Sequence, residues 1–154
     1  MRKLLATVVM AVAGTVGMAA PASASTGTQH FVILQRDDSH GSVSASGPIT
    51  GQGRNFESPD GGVGTFVFPG GTVEVVHPET SNHVSLEPRT CVLSLEFTGT
   101  YTLRHGTGIY SGVRGSGTYS GKGTFVERHT ATGCSDEPIS AVVVIRLDGT
   151  TTLP

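Results

Sequence analysis

The sequence predicts an all-β protein built from strands of barrel length, and three observations lead there. Over residues 91–103 the odd positions read Cys91, Leu93, Leu95, Phe97, Gly99, Tyr101 and Leu103, while the even positions are mostly Ser, Glu and Thr. That period of two marks a strand with one buried and one wet face. Its 13 residues exceed what a small sandwich uses and suit a barrel stave. Glycine is abundant, at 22 residues, as tight turns between strands require. No segment joins helical spacing to a cap and a stop.

The N-terminus reads as an address. Arg2 and Lys3 form a basic start, residues 4–16 are mostly apolar and uncharged, and small residues lead to Ala22-Ser23-Ala24. This is the pattern cut by signal peptidase. A membrane anchor is the alternative, but it needs ~20 apolar residues, and Gly14, Thr15 and Gly17 dilute this run. The expectation is a signal peptide over residues 1–24, cleaved after Ala24, and a secreted, extracellular domain over residues 25–154. The mature form is expected to have no membrane span. Loss of Arg2 and Lys3 leaves eight Lys and Arg against twelve Asp and Glu, a net charge of −4 with neutral histidines. The basic residues are scattered without a stripe, so nucleic acid is not an expected partner.

Cys91 and Cys134 are the only cysteines. Export places them in an oxidising compartment, and two cysteines allow one pairing. A Cys91–Cys134 disulfide is therefore expected, stabilising the fold by about 4 kcal/mol through the entropy of the closed loop. A reactive dithiol would call for C-x-x-C, which is not present.

Along the mature chain, residues 30–36 form the first expected strand, with either face available for burial. Asp37-Asp38 lacks the acidic ladder of a calcium loop and reads as a turn. Residues 42–57 read as a strand broken at Gly47-Pro48 and again at Gly51 and Gly53, suggesting a bulge or sharp bend. Residues 62–68 put Phe66 and Phe68 on one face. After a Pro69-Gly70-Gly71 turn, residues 72–77 align Val73, Val75 and His77. The stretch 77–90 is polar, carries proline and reads as a loop. Two long strands then follow, joined by a turn over residues 104–114. One face of the second carries Gly115, Gly117, Tyr119, Gly121, Gly123, Phe125, Glu127 and His129. Pairing this hairpin brings Cys91 close to Cys134. Residues 141–147 form another strand, apolar on both faces except at Arg146. The glycine column either lets the strand bend as a barrel closes or leaves an interior that admits a ligand.

The run Gly106-Thr107-Gly108-Ile109-Tyr110-Ser111-Gly112-Val113-Arg114-Gly115-Ser116-Gly117 resembles the GTG-aromatic-x-G-x-x-G signature of allene oxide cyclase and dirigent-like barrels. Small secreted actinobacterial β-barrel proteins, with a cysteine ahead of the same hairpin, also look similar. The resemblance implies a single antiparallel β-barrel of about eight strands, calycin-like or allene oxide cyclase-like, with an apolar central cavity. The sequence departs from the motif at His105, where the family has another glycine. The families' catalytic residues find no counterparts position by position, so the fold and the cavity carry over and no catalytic residue does.

Candidate sites follow from the inward face of the hairpin. Tyr101, Tyr119, Phe125 and Glu127 are the candidate ligand-binding residues, and core packing is the plainer role for the tyrosines. Glu127 is the one candidate acid–base group, if it lies in an apolar interior rather than at the rim beside His129. Six histidines show no H-x-H, H-x-x-x-H or H-E-x-x-H spacing, so neither a metal nor another cofactor is expected. No G-x-S-x-G supports a serine nucleophile. The leading expectation is a binding module for a small apolar ligand, and the lack of a catalytic motif leans away from an enzyme. The alternatives are a cyclase or isomerase-type enzyme acting in the barrel cavity, and an extracellular protein-interaction or inhibitor domain. The last would use its Thr-rich strands or the 77–90 stretch.

Overall fold

A computed structural model describes residues 24–36 and 40–154. The expected signal peptide and the Asp37-Asp38 turn lie outside these residues, apart from Ala24. The described chain is all-β. Its strands are β1 (Ser25–Gln35), β2 (His40–Ser46), β3 (Gly51–Glu57), β4 (Val63–Phe68) and β5 (Gly71–Val76). Then come β6 (Glu79–Glu87), β7 (Val92–Arg104), β8 (Arg114–Thr130) and β9 (Gly133–Leu153).

Neighbours in one antiparallel sheet run β5-β4-β3-β2-β1-β9-β8-β7-β6, and β5 also pairs with β7. That last pairing closes eight strands into a barrel and leaves β6 outside it, along the upper part of β7. The seam is short, with Glu74 opposite Arg104, Val75 opposite Leu103 and Val76 opposite Thr102. It is reinforced by Arg104 Nε donating to Glu74, and by His105 Nδ1 3.2 Å from the same carboxylate.

Two expectations are corrected here. The break at Gly47-Pro48 is a full chain reversal: β2 and β3 are separate strands paired from His40–Phe56 to Ala45–Gly51. Gly47 makes the turn possible, having φ +129°, and a Cβ there would lie 2.3 Å from the Thr28 carbonyl oxygen. The stretch 77–90 contains a strand rather than a loop alone. β6 pairs with β7 from Glu79–Gly99 to Glu87–Val92, slipping register between Glu79 and Ser81. Every residue of β6 is exposed, and its only apolar residues, Val84 and Leu86, give too short an alternation to reveal a strand.

The hairpin is as the pattern predicts, β7 and β8 pairing from Leu103–Gly115 up to Val92–Val126. Cys91 and Cys134 form the disulfide, their Cα atoms 5.4 Å apart. β9 runs beyond the expected 141–147 at both ends, as Asp148-Gly149-Thr150-Thr151-Thr152-Leu153 between β1 and β8 and as residues 133–140 beside β8.

The core is the barrel interior. Phe31, Ile33, Val43, Phe66, Val73, Val75, Tyr101, Leu103 and Leu147 are all buried there. Of the glycine column on β8, Gly121 and Gly123 lie under aromatic rings, whereas Gly115 and Gly117 lie against the β9 backbone, and Gly99 and Gly149 on the flanking strands lie close to tyrosine side chains. A Cβ on Gly121 would lie 2.1 Å from the Phe97 ring, and one on Gly99 2.5 Å from the Tyr119 ring. A Cβ on Gly149 would lie 2.7 Å from the Tyr101 hydroxyl. Absent side chains on one strand thus seat aromatic rings from its neighbours.

The lower end is plugged. Ile49 is fully buried, its backbone N–H donating to Gln29 Oε1 at 2.8 Å and its carbonyl accepting from Gln29 Nε2 at 3.0 Å. Beside Phe68, Tyr110 closes the same end from a 3-10 turn, Gly108–Tyr110, with Val113 following it. Above the Gln35–Val143 pair β9 has no partner in β1, so the upper parts of β6, β7, β8 and β9 stand past the rim as an extension of the sheet.

Candidate ligand site at the barrel mouth

The inward alternation continues to the upper strand ends but changes chemistry there. β1 passes from Phe31 and Ile33 to Gln35, β3 presents Asn55 and then Glu57, and His77 follows Val73 and Val75 just past the end of β5. These polar groups meet in a cavity of about 270 Å³ at the barrel mouth. Its apolar wall comes from Ile33, Phe66, Val75, Phe97, Ile145 and Leu147, and Tyr119, Glu79, Gly62 and Gly64 complete it. The size falls just below the ~300 Å³ at which pockets for drug-sized molecules begin.

Glu57 and His77 are the centre of this group. His77 Nε2 lies 2.9 Å from Glu57 Oε2, and Asn55 Nδ2 donates to Glu57 Oε1 at 2.9 Å. The two partners are about a fifth to a quarter exposed, so the pair is only partly shielded from water. Burial pushes the Glu57 carboxyl up, but hydrogen bonds from His77 and Asn55 and the His77 charge outweigh it, leaving Glu57 below the usual carboxylate range. The hydrogen bond to Glu57 raises His77, against the opposing effect of burial.

The backbone of His77 is fixed at both ends. Its N–H donates to the Gly62 carbonyl at 2.8 Å, and its carbonyl accepts from the Tyr119 hydroxyl at 3.2 Å. The imidazole also stands edge-on to the Tyr119 ring, their centroids 6.0 Å apart. Burial, then the charges of Glu79 and Glu57, raise the Tyr119 phenol.

The residues singled out from the sequence are divided among three places. Tyr119 lines the mouth cavity. Tyr101 lies deeper, 1% exposed, its hydroxyl without a partner among the described residues. Phe125 and Glu127 are on the extension past the rim. Phe125 faces a hollow with Leu95, Phe97, Ala141 and Val143. Glu127 stands by Leu93, Asp136 and Pro138, where β8 and β9 slip register.

Glu57, Asn55 and Gln35 escaped the sequence reading, and His77 was read only as sharing a face with Val73 and Val75. The available signal was the same in each case: an inward alternation whose last member is polar, at the same end of three strands. Among the described residues, no group of three or more His, Cys, Asp or Glu is arranged to hold a metal ion. No helix among them is long and apolar enough to cross a membrane.

The fold and this cavity define a closed antiparallel barrel with one plugged end and one open, amphipathic mouth. Compared with known proteins, the chain matches no family model, no curated protein and no solved structure.

Proposed function

We propose that the protein is an exported binding barrel that holds one small, largely apolar molecule at its mouth. The observation that carries this reading is the cavity itself. The core fills the barrel up to Tyr119 and Leu147 and then leaves about 270 Å³ walled by aliphatic and aromatic side chains. A few convergent polar groups in a mostly apolar hollow are the usual make-up of a small-molecule site. The likeness of residues 106–117 to allene oxide cyclase and dirigent-like barrels, and to small secreted actinobacterial barrels, belongs to the same reading.

Titration with the neutral fluorophore N-phenyl-1-naphthylamine tests it. Saturable fluorescence gain is expected for the native protein. Ile145→Trp, which puts a large side chain into the cavity, is expected to abolish that gain while keeping a cooperative melt. A native protein that shows no saturation, or a variant that binds equally well, refutes the reading.

A cyclase or isomerase working in the same cavity is the second reading. It is favoured by one observation, the Glu57–His77 pair at the cavity wall, an acid–base couple that Glu127 does not join. On this reading Glu57→Gln abolishes turnover of a substrate that still binds, and undiminished turnover removes Glu57 from the chemistry.

A further inference from the structure

The mouth cavity is rich in acceptors, supplied by Glu57, Glu79, Gln35 and Asn55. Among the described residues no lysine or arginine lines it, and its one cationic side chain, His77, is already paired with Glu57. Each Glu57 oxygen accepts one bond, from Asn55 Nδ2 and from His77 Nε2, so each keeps a further lone pair. A carboxylate only accepts, which fixes the Asn55 amide with its nitrogen toward Glu57. The amide oxygen, Oδ1, is then a buried acceptor with no partner among the described residues, on a residue that is itself 0% exposed. Buried acceptors of this kind are uncommon and call for a donor.

Gly64 shows where these oxygens converge. A Cβ built on it would lie 3.1 Å from Glu57 Oε1, 3.3 Å from Asn55 Oδ1 and 3.4 Å from Glu57 Oε2. Three acceptor oxygens therefore converge on the bare face of Gly64, so closely that a methyl group there would press on them. An ammonium group carries three donors and no acceptor, the complement of this set. Phe66, Phe97 and Tyr119 add aromatic rings to the wall. A carboxylate ligand would instead meet Glu57 and Glu79.

We propose that the mouth cavity binds an apolar molecule bearing a protonated amine, its ammonium on Glu57 and Asn55 Oδ1 over Gly64, and its hydrocarbon body against Phe66, Phe97 and Tyr119. This names the ligand class for the binding barrel proposed above and rests on that reading.

Calorimetric titration of the full protein with 1-naphthylmethylamine, 1-naphthylmethanol and 1-naphthylacetate tests it, since the three share one ring system. The amine is expected to bind at least tenfold more tightly than the alcohol, with the carboxylate weakest. Glu57→Gln is expected to bring the amine-to-alcohol ratio close to one. Gly64→Ala, which crowds the three oxygens without removing a charge, is expected to lower the same ratio and serves if the first variant does not fold. Equal affinities for amine and alcohol, a preference for the carboxylate, or an unchanged ratio in the folded variants overturns the amine assignment. If the alcohol and N-phenyl-1-naphthylamine bind but the amine is not preferred, the binding barrel stands without it. If none of them binds, both readings fall.

Discussion

Replacing Tyr101 by Phe is expected to stabilise the protein, although Tyr101 is among its most buried side chains. The ring packs edge-on against Phe31 at 6.4 Å, a contact phenylalanine keeps. The hydroxyl has no hydrogen-bond partner among the described residues and lies against the Gly149 backbone. Burial, followed by the charge of Asp148, pushes its pKa up to about 12, as expected of a phenol whose anion nothing stabilises. An unsatisfied buried hydroxyl costs about 1–3 kcal/mol, and the small void left by its removal returns part of that. The net expectation is a gain of about 1 kcal/mol. With an unfolding entropy of about 2.1 cal/mol/K for each of roughly 130 residues, 1 kcal/mol corresponds to about 4 °C in Tm. Differential scanning calorimetry of the two proteins reads this shift directly. Tyr101 does not line the mouth cavity, so binding of N-phenyl-1-naphthylamine should be unaffected. A Tm lowered by about 4 °C or more would mean that the hydroxyl makes a favourable bond, and the reasoning would fail.

Three other perturbations probe different parts of the molecule. The raised pKa of His77 gives stability that is whole below its unfolded value of 6.5 and is lost as pH rises through the folded pKa. The lowered pKa of Glu57 gives stability that is present above 4.5 and is lost as pH falls through its folded pKa. The Tm difference between native protein and His77→Gln should therefore peak between those two values and shrink on both sides, and a flat difference would show that the pair adds nothing. Replacing both Cys91 and Cys134 by Ser opens a loop of 43 residues and should cost about 4 kcal/mol in urea unfolding, less any strain relieved; equal stabilities would refute this. Gly121→Ala should cost about 1–3 kcal/mol, because its methyl group would meet the Phe97 ring. The displaced ring borders the mouth cavity, so weaker probe binding should accompany the loss, and a fully stable variant would show that the ring is not seated there.

Much of the barrel was legible because its buried strands alternate. Phe66 with Phe68, Val73 with Val75, and Gly99, Tyr101 and Leu103 of β7 are buried as their spacing predicts, while Leu93, Leu95 and Phe97 on the same face of β7 are only partly buried. The turn over 104–114 follows from the same pattern, since alternation stops before it and resumes after it. β6 was illegible for the converse reason: held only by backbone pairing to β7, it imposes no burial on alternate side chains. The Gly47 reversal was read as a kink because glycine and proline announce a break without giving its angle. Site residues were harder still. Each strand shows that its last inward residue is polar, but only the pairing of β1 through β5 shows that those residues meet.

The glycine column links these observations. An eight-strand barrel encloses a space just wide enough for its inward side chains to fill, so a ligand cavity requires side chains to be missing or diverted. Glycines at 99, 121 and 149 first suggest missing ones, but the Tyr119, Phe97 and Tyr101 side chains lie over them and occupy the middle of the barrel. With Ile49 and Tyr110 closing the bottom, space remains where the inward residues become Gln35, Asn55, Glu57 and His77. Such residues cannot pack as a dry core without satisfying their polar atoms, and their mutual hydrogen bonds leave Asn55 Oδ1 unsatisfied. The cavity is therefore a direct consequence of polar residues at buried strand ends. A Glu57→Leu, His77→Leu double replacement, which lets that end pack dry, should raise thermal stability while abolishing amine binding.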